Sequence, residues 1–161
     1  MLVTHGRPGQ RGPGGPVVLV AEDEALVAAV LGEALEIEGF RVILAPDGLS
    51  ALSSARRRPI DLLLTDLDMP RLDGAGLIAR LRSERPGLPV VVMSGRLPPD
   101  GGRALGQGAT GPFAVLAKPF PFAVLVATLR RMLAAPGGGG PLAGPVAPPA
   151  PSATPHAAPR C

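Results

Sequence analysis

The chain has 161 residues, 46% of them hydrophobic, which is enough for one packed core and too few for two domains of ordinary size. Its net charge of +3 resides in Arg7, Arg11 and Arg160 near the ends, because residues 17–135 hold 13 basic and 13 acidic side chains, so no basic face for nucleic acid is expected. Cys161 is the single cysteine and the first apolar run, Val17 to Ala21, is five residues long; the first fact excludes an internal disulfide or a Cys-rich metal site and fits a reducing cytoplasm, and the second excludes a signal-peptide core or membrane span in that run.

Glycine and proline divide the chain. Residues 1–16 contain 8 of them and residues 136–161 contain 13, against 22 in the 119 residues between, so both ends read as disordered tails flanking one domain at 17–135. Val17 to Ala21, bounded by Pro16 and Glu22, has the unbroken apolar character of a strand buried on both faces of a parallel sheet. From Glu24 to Glu38 the period changes: Val27, Val30, Leu31, Ala34 and Leu35 recur at helical spacing, and Gly39 supplies the stop. The alternation then repeats, with strands at Arg41–Ala45, Asp61–Thr65 and Pro89–Met93 and helices at Asp47–Arg57 and Asp73–Glu84, the last capped by Asp73. A fifth strand is predicted at Phe113–Ala117. Pro121 suits a first helical turn, and Phe122, Leu125, Val126, Leu129, Met132 and Leu133 form the docking stripe of a last helix. The fourth helix is the weak element, because Pro98, Pro99, Gly101, Gly102, Gly106 and Gly108 leave room only for a short turn near Arg103–Gly106. Five strands alternating with helices imply an α/β fold, a doubly wound five-stranded parallel sheet in the flavodoxin-like order 2-1-3-4-5.

Such sheets bind ligands beyond the carboxyl ends of their strands. Strand 1 ends in Glu22 and Asp23, strand 3 in Asp66, strand 4 in Ser94 and strand 5 in Lys118. Each acid alone reads as a solvated loop residue or helix cap. Together, three carboxylates on neighbouring strands repel one another unless protons or a cation enter, and hard oxygen ligands with room for water and phosphate suit Mg²⁺. Asp66 is then a candidate phosphoryl acceptor, since phosphoryl transfer needs an aligned nucleophile and neutralised oxygens. Lys118 would contribute a positive point charge, and the Ser94 hydroxyl would donate to a phosphoryl oxygen. Lys118 is the single lysine beside 15 arginines, which points to a task unsuited to a forked guanidinium.

Four segments carry a resemblance to a known family: Val18-Leu19-Val20-Ala21-Glu22-Asp23-Glu24, the stretch from Leu62 through Asp66-Leu67-Asp68-Met69-Pro70 to Gly74, then Val91-Val92-Met93-Ser94-Gly95, and Lys118-Pro119-Phe120. In order and spacing they resemble the receiver domain of bacterial response regulators, over about residues 17–134. The resemblance implies that Asp66 is phosphorylated by a histidine kinase or histidine phosphotransfer protein. It implies Asp23, Asp66 and the Asp68 carbonyl as direct Mg²⁺ ligands, with Glu22 acting through metal-bound water. Ser94 becomes the switch hydroxyl, Lys118 the partner of the acceptor or its phosphate, and Lys118-Pro119 a cis bond. It further implies a signalling protein that catalyses only its own phosphorylation and dephosphorylation; the neutral core and the short apolar run add the expectation of a cytoplasmic protein with no nucleic-acid or membrane partner.

Two features depart from the pattern. Val115 stands where the family usually has Tyr or Phe, and the fourth helix is degraded, so the ring-driven part of the usual switch is absent. After Ala135 only Gly/Pro/Ala-rich sequence follows, with no DNA-binding motif. Two alternatives compete. Asp66-Leu67-Asp68 also matches the start of a haloacid-dehalogenase-type phosphatase motif, but Met69-Pro70 does not continue it and Asp100 is the single acid after Glu84. The other is a receiver that docks without being phosphorylated.

Overall fold

The computed structural model describes residues 14–96, 99–107 and 110–135; the expected tails, apart from residues 14–16, lie outside these. The elements in chain order are β1 (Val17–Ala21), α1 (Ala25–Ile37), β2 (Arg41–Ala45), α2 (Gly48–Arg57), β3 (Leu62–Asp66), α3 (Gly74–Glu84), β4 (Val90–Ser94), α4 (Arg103–Gly106), β5 (Phe113–Ala117) and α5 (Phe122–Ala134). All neighbouring strands are parallel, in the order β2-β1-β3-β4-β5, which is the doubly wound arrangement that the alternation predicts.

Successive residues of a strand face opposite sides of a sheet, and this sorts the core in two. Leu19, Leu63, Val90, Val92, Phe113 and Val115 meet Leu52 of α2 and Leu77, Ile78 and Leu81 of α3 on one side. Val18, Val20, Leu62, Leu64, Val91 and Met93 meet Leu35 of α1 and Leu125, Leu129 and Met132 of α5 on the other. Central β3 and β4 are buried at all five positions, hence their unbroken apolar runs. A fully buried leucine contributes about 1.5–3 kcal/mol through the water it sheds.

The ends of elements follow local hydrogen-bonding chemistry. At the end of α1, Gly39 has φ 89°, its N–H bonds the Glu36 carbonyl, and the Phe40 N–H bonds the Leu35 carbonyl; this paired closure requires a residue at positive φ, which glycine adopts without a Cβ penalty. Asp47 and Asp73 cap α2 and α3 by accepting from the N–H of Ser50 and Gly76. Strands β3 and β4 each sit one residue later than periodicity alone predicts. Asp61 explains the first shift, because its carboxylate accepts the Val17 N–H at 2.7 Å and so acts as a cap rather than as a strand residue. Pro89 has no N–H to give a ladder, and β4 begins after it.

Candidate functional site

The one-residue shift places Asp66 as the last residue of β3, 8% exposed. Its Oδ1 accepts the Asp68 N–H at 3.1 Å and its Oδ2 accepts from Lys118 Nζ at 2.7 Å. Glu22, 1% exposed, follows β1, where its own N–H continues the ladder to the Ala45 carbonyl at 3.1 Å. Its Oε1 accepts the Glu24 N–H at 3.2 Å, and its Oε2 accepts from the same Lys118 Nζ at 3.2 Å. Asp23 is exposed at the rim, and one carboxylate oxygen each from Glu22, Asp23 and Asp66 lies within 4.8 Å of the others.

The charges are shared unequally. Burial pushes the Glu22 carboxyl above its ordinary 4.5, against the Glu24 N–H and Lys118, which pull it down, while the Asp66 charge adds to the rise. For Lys118, burial pulls the ammonium down, but the hydrogen bond and charge of Asp66, joined by Glu22, more than reverse this and raise it above 10.5. Lys118 thus stays cationic between two carboxylates, and the site keeps a surplus of negative charge. Hard, closely spaced carboxylate oxygens of this kind fit Mg²⁺, which takes one or two carboxylates and completes its shell with water and phosphate oxygens.

The Lys118-Pro119 bond is cis, and the Lys118 N–H donates to the Ser94 carbonyl at 2.8 Å, joining the ends of β4 and β5. The Ser94 hydroxyl is 1% exposed and turned into its own loop, donating to the Arg96 carbonyl at 2.5 Å and accepting the Arg96 N–H at 3.1 Å. The Asp68 side chain is exposed and outside the carboxylate trio; its contact with Asp66 runs through its backbone N–H. The β3–α3 loop that carries it is tightly closed, since the Gly74 N–H bonds the Leu67 carbonyl at 3.0 Å and a Cβ on Gly74 would stand 2.1 Å from the Asp66 carbonyl oxygen. Asp47, 1% exposed, pairs with Arg71 of this loop, which holds φ at 67°. Neither member of that pair stood out in the sequence, because a cap and a loop arginine are common separately.

Sequence reasoning also passed over the ring on β5. Phe113 lies on the same side of the strand as Val115, two residues away, and packs beneath α4: a Cβ on Gly106 would meet the Phe113 ring at 3.3 Å, and one on Gly102 would meet Val115 at 2.8 Å. The signal was present as a β5 residue of the same parity.

A doubly wound parallel sheet carries an acidic trio and a lysine at its carboxyl edge, which defines the class as a flavodoxin-like α/β domain. The response regulator receiver domain family matches residues 18–130, and the chain belongs to that family. It is similar to the probable transcriptional regulatory protein TcrX of Mycobacterium tuberculosis, with 38% identity over 125 residues that cover 77% of this chain and 53% of the relative. Among solved structures it resembles the receiver domain of a sensor histidine kinase from Pseudomonas aeruginosa, solved with a magnesium ion in its active-site cleft, at 30% identity and a TM-score of 0.65, covering 75% of this chain and 99% of that one. It also resembles chemotaxis protein CheY4 of Vibrio cholerae, at 27% identity and a TM-score of 0.65, covering 73% and 98%. The chain spans about half the length of the curated relative it matches. Among the described residues no helix is long and apolar enough to cross a membrane.

Proposed function

We propose that Asp66 accepts a phosphoryl group from the phosphohistidine of a histidine kinase or phosphotransfer protein, and that the state of Asp66 is read by a further protein. The observation that carries this reading is Lys118 Nζ held between Asp66 Oδ2 and Glu22 Oε2 at 2.7 and 3.2 Å, beside the close-set carboxylates of Glu22, Asp23 and Asp66. Asp23, Asp66 and the Asp68 carbonyl would hold Mg²⁺ directly and Glu22 would do so through water; bound there, the ion neutralises phosphoryl oxygens. A carboxylate oxygen of Asp66 attacks phosphorus, a P–O bond forms, and the P–N bond breaks with its electron pair returning to the imidazole nitrogen. Lys118 balances charge on the transferred group. Ser94 donates to a phosphoryl oxygen after leaving Arg96. The exposed Leu26 and Val30, 77% and 59% accessible, lie one turn apart on α1, the helix that follows Asp23, and suit a helical kinase partner.

The chain would turn over nothing but its own phosphate, in the cytoplasm. The neutral domain is proposed to bind no DNA by itself. The alignments cover only 53% and 50% of two relatives named as transcriptional regulators, so DNA binding by any longer protein is a separate property.

Acetyl phosphate with Mg²⁺ is the direct test. A mass increase of one phosphoryl group on Asp66 is expected; sustained phosphate release would indicate a phosphatase, and no modification would indicate a docking module that works without phosphorylation.

A further inference from the structure

The cleft between α3 and α4 lies apart from the acceptor site. It encloses about 370 Å³, and its wall is mixed, with Ile78, Ala79 and Leu105 apolar and Arg82, Ser83 and Gln107 polar. Arg82 is the unusual member. It continues the buried stripe of α3 one turn after Ile78 and is 7% exposed. Its Nη2 donates to the Pro112 carbonyl at 2.9 Å, with the Gly111 and Leu88 carbonyls farther off at 3.4 and 3.5 Å. The guanidinium carbon stands 5.3 Å from the centre of the Phe113 ring. Among the described residues Nε and Nη1 are buried with no hydrogen-bond partner, and burial draws the guanidinium below its ordinary 12.5. A buried cation with unmet donors is destabilising until an anion reaches it.

We propose that the α3–α4 cleft binds a small organic monocarboxylate, with Arg82 as its anchor and the apolar wall receiving its hydrocarbon chain. The charge count selects the class: among the described residues Arg82 is the one basic side chain that lines the cleft, so a phosphate dianion would remain half compensated in an apolar setting. Gln107 stands at the same wall as a further donor, while the Ser83 hydroxyl already donates to the Arg80 carbonyl at 2.7 Å. Nη1 is closed off from solvent, so seating a carboxylate on it requires the cleft wall to move, and we assign that movement to α4, which lines the cleft with Ala104 and Leu105. This element is built to yield, with four residues, none of them buried, preceded by Gly101 and Gly102 at φ 64° and 82°. The site is independent of whether Asp66 is phosphorylated.

The full chain, ¹⁵N-labelled and free of Mg²⁺, is titrated with hexanoate, 1-hexanol and inorganic phosphate while amide shifts are followed. Saturable shifts are expected for hexanoate at Ala79, Ser83, Ala104 and Leu105, with 1-hexanol and phosphate each about tenfold weaker or worse, as loss of a charge-assisted pair implies. Arg82→Met should bring hexanoate and hexanol to equal affinity. Should that variant fail to fold, Ala79→Phe fills the cleft from an exposed position and should abolish the hexanoate response. Equal binding of hexanol by the native chain, phosphate binding as tight as hexanoate, unchanged binding in Ala79→Phe, or no saturable shift at these residues would each overturn the proposal.

Discussion

At the residue scale the site depends on one nitrogen shared by two carboxylates. Asp66→Asn removes the nucleophile and one of the negative charges, so labelling by a phosphorylated kinase should disappear while stability changes by only about 1 kcal/mol; labelling at the native rate would refute the acceptor assignment. Glu22 gives the pH signature. Its pKa is raised in the folded chain, so in the window just above pH 4.5 the folded state binds more protons than the unfolded state, and without metal stability falls as pH rises through that window. The proton also competes with Mg²⁺, so metal affinity should fall on acidification in the same window, before an ordinary carboxylate would respond. Glu22→Gln should flatten both profiles, measured by thermal unfolding and by calorimetric Mg²⁺ titration. The Lys118 contribution, with its pKa raised above 10.5, is lost only in alkali and does not overlap.

At the scale of elements, most of the fold was legible because the changes of period are marked by local signals, Asp47 and Asp73 capping the starts of α2 and α3 and Gly39 closing α1. What was not legible lay in hydrogen bonds that are not written in a pattern. Asp61 reads as a strand residue until its carboxylate is seen capping Val17, and no pattern shows that without a phosphate the Ser94 hydroxyl is held by Arg96. Arg82 was hidden in a different way, since an arginine on an amphipathic helix is expected outside, although its spacing from Ile78 marks it as inward. The β3–α3 loop gives this scale its prediction. Adding a Cβ at Gly74 would press on the Asp66 carbonyl at 2.1 Å and the Leu67 Cα at 2.8 Å, atoms of backbone that cannot rotate away. Gly74→Ala should therefore cost about 1–3 kcal/mol and weaken Mg²⁺ binding by displacing Asp68. Gly87→Ala, where nothing lies within 4 Å, serves as the control and should fall within about 0.5 kcal/mol of the native chain. Equal Mg²⁺ affinity in the two variants would show that the loop geometry does not govern the site.

For the molecule as a whole, the question is where a change at Asp66 travels. The family's usual ring is replaced by Val115, stiff at χ1 and without reach, and the ring that does lie under α4, Phe113, is fixed between Gly106 and Arg82. The movable part is therefore the chain above them. Ser94 now holds Arg96 through both its N–H and its carbonyl. If the hydroxyl turns to a phosphoryl oxygen, that hold on Arg96 is released, ahead of the α4 segment, a helix with no buried residue of its own. Elements with so little buried surface open at low free-energy cost, so the segment is free to settle in a new position while α5, with Leu125, Val126, Leu129 and Met132 in the core, stays in place. Hydrogen exchange with and without beryllofluoride and Mg²⁺ checks this. Protection should rise in residues 99–107 and change little in residues 122–133; slowing confined to α5, or to the acceptor pocket alone, would assign the output to another face of the sheet.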